Sequence, residues 1–262
     1  MIRAILFDQG DTLWHFPRMP APAELGAEAS RRAVLVLESW GLPADDGLRR
    51  LAMDAFLKSQ LAELEAYRTH LVSPDPAAVL RDLAAERGVE LALEQARELW
   101  EGCRPEGAFL RRTIYPDTAA TLRWARERGY RVACVTNTLF GGRPLLRDFV
   151  EEGLDGIVEL VVASCDIGYL KPHPRIFQHA LEALGVAAEE TVMVGDSLRA
   201  DVGGAKELGM TAVWKRRTDA YAEVEITWQK QGLIPDHQPD YIVDSLWEIT
   251  ELPIFGPDGS AT

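Results

Sequence analysis

Ile2-Arg3-Ala4-Ile5-Leu6-Phe7-Asp8-Gln9-Gly10-Asp11-Thr12 is an apolar run of strand length that turns abruptly polar. A continuous apolar and β-branched run is the pattern of a strand covered on both faces. Such strands belong to parallel sheets, whose ligands bind beyond the carboxyl ends of the strands. This reading puts Asp8 at the end of a buried strand as a candidate nucleophile. A polar turn after a strand is common in itself, so the rest of the chain has to decide.

From Tyr115-Pro116 onward, strand and helix signals alternate as in βαβ units. Strands are predicted over 130–135, 157–163, 191–194, 211–214 and 241–243, with helices over 116–128, 149–154, 174–184 and 205–208. The segment 216–239 is polar and poorly periodic and is expected to be a surface excursion. Between the Asp8 turn and this alternating region the composition changes. A proline-rich passage, His15-Phe16-Pro17-Arg18-Met19-Pro20-Ala21-Pro22, reads as a linker. Apolar residues at helical spacing then mark four helices: Leu25 to Trp40, Leu48 to Leu71, Val79 to Leu83, and Ala92 to Cys103. Residues 17–111 are thus expected to form a small helical bundle. Its insertion straight after the Asp8 turn suggests a lid.

The composition excludes several classes. At 262 residues and 47% hydrophobic content, the chain has material for one sizeable domain and a smaller one. A formal net charge of −13 repels phosphate backbones and anionic lipid surfaces, so neither nucleic acid nor membrane is an expected partner. No apolar run approaches the ~18 residues of a membrane span, and the short N-terminal run is no signal peptide, so the expected location is cytoplasmic. Cys103, Cys134 and Cys165 are odd in number, widely spaced and set among apolar residues, the pattern of buried thiols and not of a disulfide framework or a zinc site. His173 and His179 are six apart, which is not the spacing of two ligands on one helix face.

Each predicted core strand delivers polar groups at its carboxyl end. Thr136-Asn137-Thr138 follows the second, a hydroxyl and an amide suited to holding an anionic oxygen. Lys171, in Gly168-Tyr169-Leu170-Lys171-Pro172, is one of two lysines in the first 200 residues, the other being Lys58. An ammonium there can neutralise a carboxylate that has to meet a phosphate dianion. Val194-Gly195-Asp196-Ser197-Leu198-Arg199-Ala200-Asp201 carries two carboxylates five residues apart, with Asp201 expected at the start of a helix, where it also reads as an N-cap. Asp8 and Asp196 together suit a hard cation such as Mg2+, which takes oxygen ligands.

These four stretches, in this order, resemble the signature of the haloacid dehalogenase-like (HAD) superfamily. The helical insertion resembles the cap that many members carry after the first motif. The resemblance implies an α/β fold: a Rossmann-like parallel sheet core over 1–16 and 112–262, with a four-helix cap over 17–111. It implies hydrolysis of a small phosphorylated metabolite through an aspartyl-phosphate on Asp8, with Lys171 and Thr136 catalytic and with Thr136, Asn137 and Lys171 holding the substrate. Mg2+ would be held by Asp8, Asp196 and the backbone carbonyl of Gly10, with Asp201 behind them.

One position departs from the family pattern. Gly10 stands where the second Asp of Asp-x-Asp-Gly-Thr serves phosphatases as general acid and base, and Asp11 is then a candidate replacement for it. The departure keeps other readings open. Dehalogenases and phosphonate-cleaving members also lack that Asp. The latter need a Schiff-base lysine, for which Lys58 is the only one in the insertion, and a binding protein of weak activity is a further reading. Of the residues near the hinge and on the insertion, His15, Phe16, Arg18, Arg68 and His70 are candidates to line the mouth of the site.

Overall fold

The computed structural model describes residues 1–42, 46–217, 220–232 and 234–256. Chain order runs β1 (Ala4–Phe7), β2 (Trp14–His15), α1 (Pro22–Ser39), α2 (Asp46–Arg68), α3 (Pro76–Glu86), α4 (Leu93–Gly102) and β3 (Thr113–Ile114). It continues through α5 (Thr118–Glu127), β4 (Arg131–Thr136), α6 (Gly142–Glu151), β5 (Leu160–Ala163), α7 (Ser164–Ile167), α8 (Pro174–Leu184) and β6 (Thr191–Gly195). The last elements are α9 (Gly204–Glu207), β7 (Thr211–Lys215), α10 (Ala220–Lys230) and β8 (Tyr241–Val243).

Among the described residues the main sheet has six strands in the order β5-β4-β1-β6-β7-β8, every pairing parallel. All four residues of β1 are buried, which is why its sequence shows no alternation. One face packs on α5 and α6 through Leu122, Ala125, Leu145 and Phe149, and the other on α8 and α9 through Ile176, Phe177, Ala180 and Ala205. The neighbours of β1 are β4 and β6, so the strand order switches direction there. A crevice opens at the carboxyl ends of β1, β4 and β6, the place where open α/β sheets bind ligands.

Helices α1 to α4 pack on one another around Leu37, Leu51, Ala55, Leu80, Leu99 and Trp100. They stand over the crevice, with Trp100 Nε1 donating to the Leu139 carbonyl beyond β4 at 2.7 Å. Leu170 N donates to Leu71 O at 2.8 Å and Arg199 to Tyr67 O at 2.7 Å, tying α2 and the turn after it to the sheet's loops. No described helix is long and apolar enough to cross a membrane.

Four expectations need correction. The chain enters and leaves the four helices through an antiparallel ribbon of β2 and β3, where Trp14 pairs with Ile114; strands of two residues are too short to show a period. Helix α6 spans Gly142–Glu151, not 149–154. Gly142, at its start, is a glycine of close approach, since a Cβ there would lie 1.9 Å from the Val161 carbonyl oxygen. Pro144 sits in the first turn, where its missing N–H costs nothing. Within the expected excursion 216–239 lies helix α10. Finally, Asp201 is not an N-cap. Ser197 is the cap, its side chain accepting from Ala200 N at 3.0 Å, and Asp201 lies inside a wide π-type turn, Leu198–Gly203.

Candidate active site

Asp8 leaves β1 between Thr136 at the end of β4 and Asp196 just beyond β6, fixed by the registers Phe7↔Cys134 and Phe7↔Val194. Lys171 reaches the same point from the loop before α8. Its Nζ is 2.6 Å from Asp8 Oδ1 and 2.7 Å from Asp201 Oδ1, with the side chain 2% exposed. Burial works against the ammonium charge, but Asp201 and Asp8 outweigh it and raise the Lys171 pKa. The other oxygen of Asp201 accepts from Ser197 N at 3.0 Å. It approaches so closely that a Cβ on Gly195 would lie 2.2 Å from its carboxyl carbon, so residue 195 has to be glycine.

Asp196 accepts from Thr12 Oγ1 at 3.2 Å and from Arg217 at 3.2 Å, while its backbone carbonyl accepts from Trp214 Nε1 at 2.8 Å. Burial first, and then the like charges of Asp8 and Asp201, push its carboxyl well above the usual carboxylate range. Asp201 is pushed up as well, by burial, with Lys171 pulling the other way. Asp8, Asp196 and Asp201 offer carboxylate oxygens that lie within 4.8 Å of one another. Three hard oxygen donors crowded in a buried space fit a divalent cation. Asp201 is held by Lys171 and Ser197 N at 2.7 and 3.0 Å, whereas Asp196 has only longer contacts, 3.2 Å to Thr12 and to Arg217. Asp8 is bound to Lys171 through Oδ1, so Asp8 and Asp196 are the pair best placed to turn towards it.

The other expected residues fall into place unequally. Thr136 is buried and borders a cavity over the site. Asn137 clamps the Lys171 peptide from both sides, Oδ1 accepting from Lys171 N at 2.7 Å and Nδ2 donating to Lys171 O at 3.1 Å. Its amide thus orients the lysine. Gly10 lies in the turn with no atom within 4 Å of a built Cβ. Asp11 sits in left-handed backbone (φ 58), and its carboxylate is held by Arg217 at 2.6 Å. Phe16 borders the cavity, whereas His15 stacks on Tyr115, and Arg18, Arg68 and His70 are exposed.

The sequence reading missed Arg217, Lys215, Trp214 and Thr12. Lys215 Nζ donates to Asp11 O at 3.1 Å and lies 3.9 Å from the centre of the Tyr115 ring; burial lowers its pKa, against the pull of Asp196. Lys215 ends β7 and Arg216-Arg217 follow it, so the rule that exposed Asp8 and Thr136, polar groups at strand ends, applied here too.

A family model for haloacid dehalogenase-like hydrolases matches residues 2–209. The chain belongs to that family. This HAD-like hydrolase is 43% identical over 140 residues to a phosphoserine phosphatase of Thermus thermophilus, an overlap of 53% of each chain. It is 29% identical over 271 residues to a glyceraldehyde 3-phosphate phosphatase of Methanopyrus kandleri, covering 96% of this chain and 97% of that one. Among solved structures, the 2-haloacid dehalogenase of Pseudomonas syringae superposes with a TM-score of 0.55 at 25% identity, over 96% of this chain and 97% of that one. The fold is therefore shared by enzymes that cleave different bonds, and the choice between them rests on the site.

Proposed function

We propose that this HAD-like hydrolase is a Mg2+-dependent phosphohydrolase of small phosphorylated metabolites that works through an aspartyl-phosphate on Asp8, with helices α1 to α4 as a cap. The observation that carries the reading is the buried Lys171 ammonium between Asp8 and Asp201. A carboxylate nucleophile and a phosphate dianion repel one another, and a fixed cation at 2.6 Å from the nucleophile offsets this. The phosphatases among the relatives support the same reading.

Asp8, Asp196 and the Gly10 carbonyl would hold Mg2+, with Asp201 behind them. When bound, the ion neutralises charge on the phosphoryl oxygens. Asp8 attacks phosphorus through one carboxylate oxygen, forming the acyl-phosphate bond as the bond to the leaving oxygen breaks. Water then attacks the same phosphorus and releases Asp8 and inorganic phosphate. Lys171 stabilises charge in both displacements, Thr136 offers its hydroxyl to a phosphoryl oxygen, and Asn137 keeps Lys171 in place.

Asp8→Asn tests the covalent step. The amide is nearly isosteric but forms no acyl-phosphate, so phosphate release should vanish while circular dichroism still shows a folded chain, Asp201 remaining to pair with Lys171; retained turnover would remove the mechanism. A phosphonate-cleaving role is disfavoured, because Lys58 is exposed on α2 and does not border the cavity. A dehalogenase role is disfavoured by the acidic cluster of Asp8, Asp196 and Asp201, which halide chemistry does not call for.

A further inference from the structure

Over the strand ends and beneath α1, α2 and α4 lies a cavity of about 290 Å³. At one end it is bordered by Gln9, Gly10, Thr136 and Asn137, so it is continuous with the candidate phosphate site. Away from that end its walls are apolar: Trp14, Phe16, Phe56, Trp100, Leu110 and Phe140. Three of these rings stand in a stack, Phe56 against Trp100 at 6.4 Å and 21°, and Trp100 against Phe140 at 5.1 Å and 14°.

The geometry points to a substrate whose leaving group is apolar and of about two-ring size. This deepens the phosphohydrolase reading and rests on it. Charge carries the first step. Among the described residues the charged side chains bordering the cavity are Arg104 and Asp148, and these pair with each other at 2.5 Å. A leaving group with its own carboxylate, ammonium or second phosphate would therefore be desolvated against aromatic walls whose only charges are already matched. Size carries the second step: the cavity is roughly twice the ~150 Å³ void that admits one benzene ring.

The turn adds two features. At Gly10 no side chain projects between the cavity and Asp8, and no atom lies within 4 Å of where its Cβ would be. Gln9 is 3% exposed and borders the cavity, with its side-chain amide on the Cys134 thiol. It is neutral, so it adds no charge to the phosphate end of the space. The occupant is thus an organic monophosphate with an apolar body, aromatic or of comparable hydrocarbon bulk. Compact, many-charged phosphorylated metabolites are disfavoured.

Two measurements on the Mg2+-supplemented full chain test this. The first compares kcat/KM for 2-naphthyl phosphate and phenyl phosphate, whose leaving groups differ little in basicity and mainly in apolar bulk. The second compares calorimetric Kd values of two hydrolysis-resistant probes, 2-naphthylmethylphosphonate and methylphosphonate. At least a tenfold preference for the naphthyl member in each supports the inference, and phosphoserine should be the poorer substrate against either aryl ester. A smaller preference, or phosphoserine turned over faster, overturns it while leaving the phosphohydrolase reading intact. Absence of phosphate release from every ester would instead sink the phosphohydrolase reading, and the phosphonate pair still reports on the cavity. Ala29→Phe, on the cavity wall, places a ring in the space and should bring the naphthyl preference towards one. If the folded variant keeps the full preference, the apolar group binds elsewhere and the inference fails.

Discussion

Gly10→Asp puts a carboxyl where the family pattern has its second Asp, and the turn has room for it. A Cβ at residue 10 meets no atom within 4 Å, and its φ is outside the left-handed region, so the substitution imposes no backbone strain. Fewer unfolded conformations favour the variant, by ~0.4–1 kcal/mol on the Gly→Ala scale. Another carboxylate beside Asp8 and Asp196 opposes this. The kinetic consequence is larger. A placed general acid is worth ~10²–10⁴ in rate, about 3–5 kcal/mol. It matters only where the departing oxygen needs a proton. Wild type should therefore lose rate steeply as leaving-group pKa rises from acyl through aryl to alkyl phosphates. Gly10→Asp should accelerate alkyl phosphates, leave acyl phosphates little changed, and so flatten the slope. The assay is phosphate release across such a series at saturating Mg2+. Asp11 is the residue that can refute this. Its carboxylate is held on the Arg217 guanidinium at 2.6 Å. If wild type hydrolyses alkyl and aryl esters at similar rates and Asp11→Asn abolishes both, Asp11 is the acid and the argument from Gly10 is wrong.

Lys171→Met should lose activity and also destabilise the fold, since removing one partner of a buried ion pair typically costs ~3–5 kcal/mol. The raised pKa of Lys171 makes its contribution complete below its ordinary 10.5 and lost as pH rises through the folded value. The cost of Lys171→Met should shrink from pH 8 to pH 5, because burial already raises the Asp201 pKa, and without the ammonium that carboxyl takes a proton; urea unfolding at both pH values checks this, and an equal cost at each would contradict it. Arg217→Gln removes a cation 3.2 Å from Asp196, so calorimetry should show Mg2+ binding several-fold more tightly; unchanged affinity would mean that Arg217 does not compete for that carboxylate.

The core was legible where the signal was local and strong. The β1 run, the capless apolar strand over 191–194 and the helix from Pro174 to Gly185 all follow from apolar run length, a proline in the first turn and a glycine at the end. What was missed depended on distance. The first two turns of α6 were missed, and Gly142 at its start is set by the Val161 carbonyl, a contact made only in the fold. Arg217 looked like surface because its partners, Asp11 and Asp196, are 206 and 21 residues away. The pair of hydrogen bonds between the Asn137 amide and the Lys171 backbone spans 34 residues, and no spacing rule hints at it. The acidic cluster, by contrast, was readable because Asp8 follows β1 and Asp196 and Asp201 follow the neighbouring β6, all at the same end of the sheet.

The same cluster explains why the site is built at some cost to stability. Four carboxylates, Asp8, Asp11, Asp196 and Asp201, meet two cationic side chains, Lys171 and Arg217, while Lys215 donates to the Asp11 backbone carbonyl. Buried ion pairs are weak stabilisers, and apolar residues of similar volume often serve a fold as well or better. Asp196 shows the strain directly, since burial and its acidic neighbours raise its pKa although Thr12 and Arg217 donate to it. A fold selected for stability alone would place an apolar side chain at 171 and dispense with the acids around it. Retaining them makes sense if the excess negative charge is relieved by a divalent cation, and if the Lys171 ammonium then meets an incoming anion already desolvated and in position. Metal and phosphate would each bind more tightly in the presence of the other, because each cancels charge that the other leaves exposed. Titrating Mg2+ with and without vanadate or inorganic phosphate measures that coupling, and by reciprocity the anion's affinity must rise by the same factor when Mg2+ is present. Independent binding of the two would show that the carboxylates are satisfied within the protein.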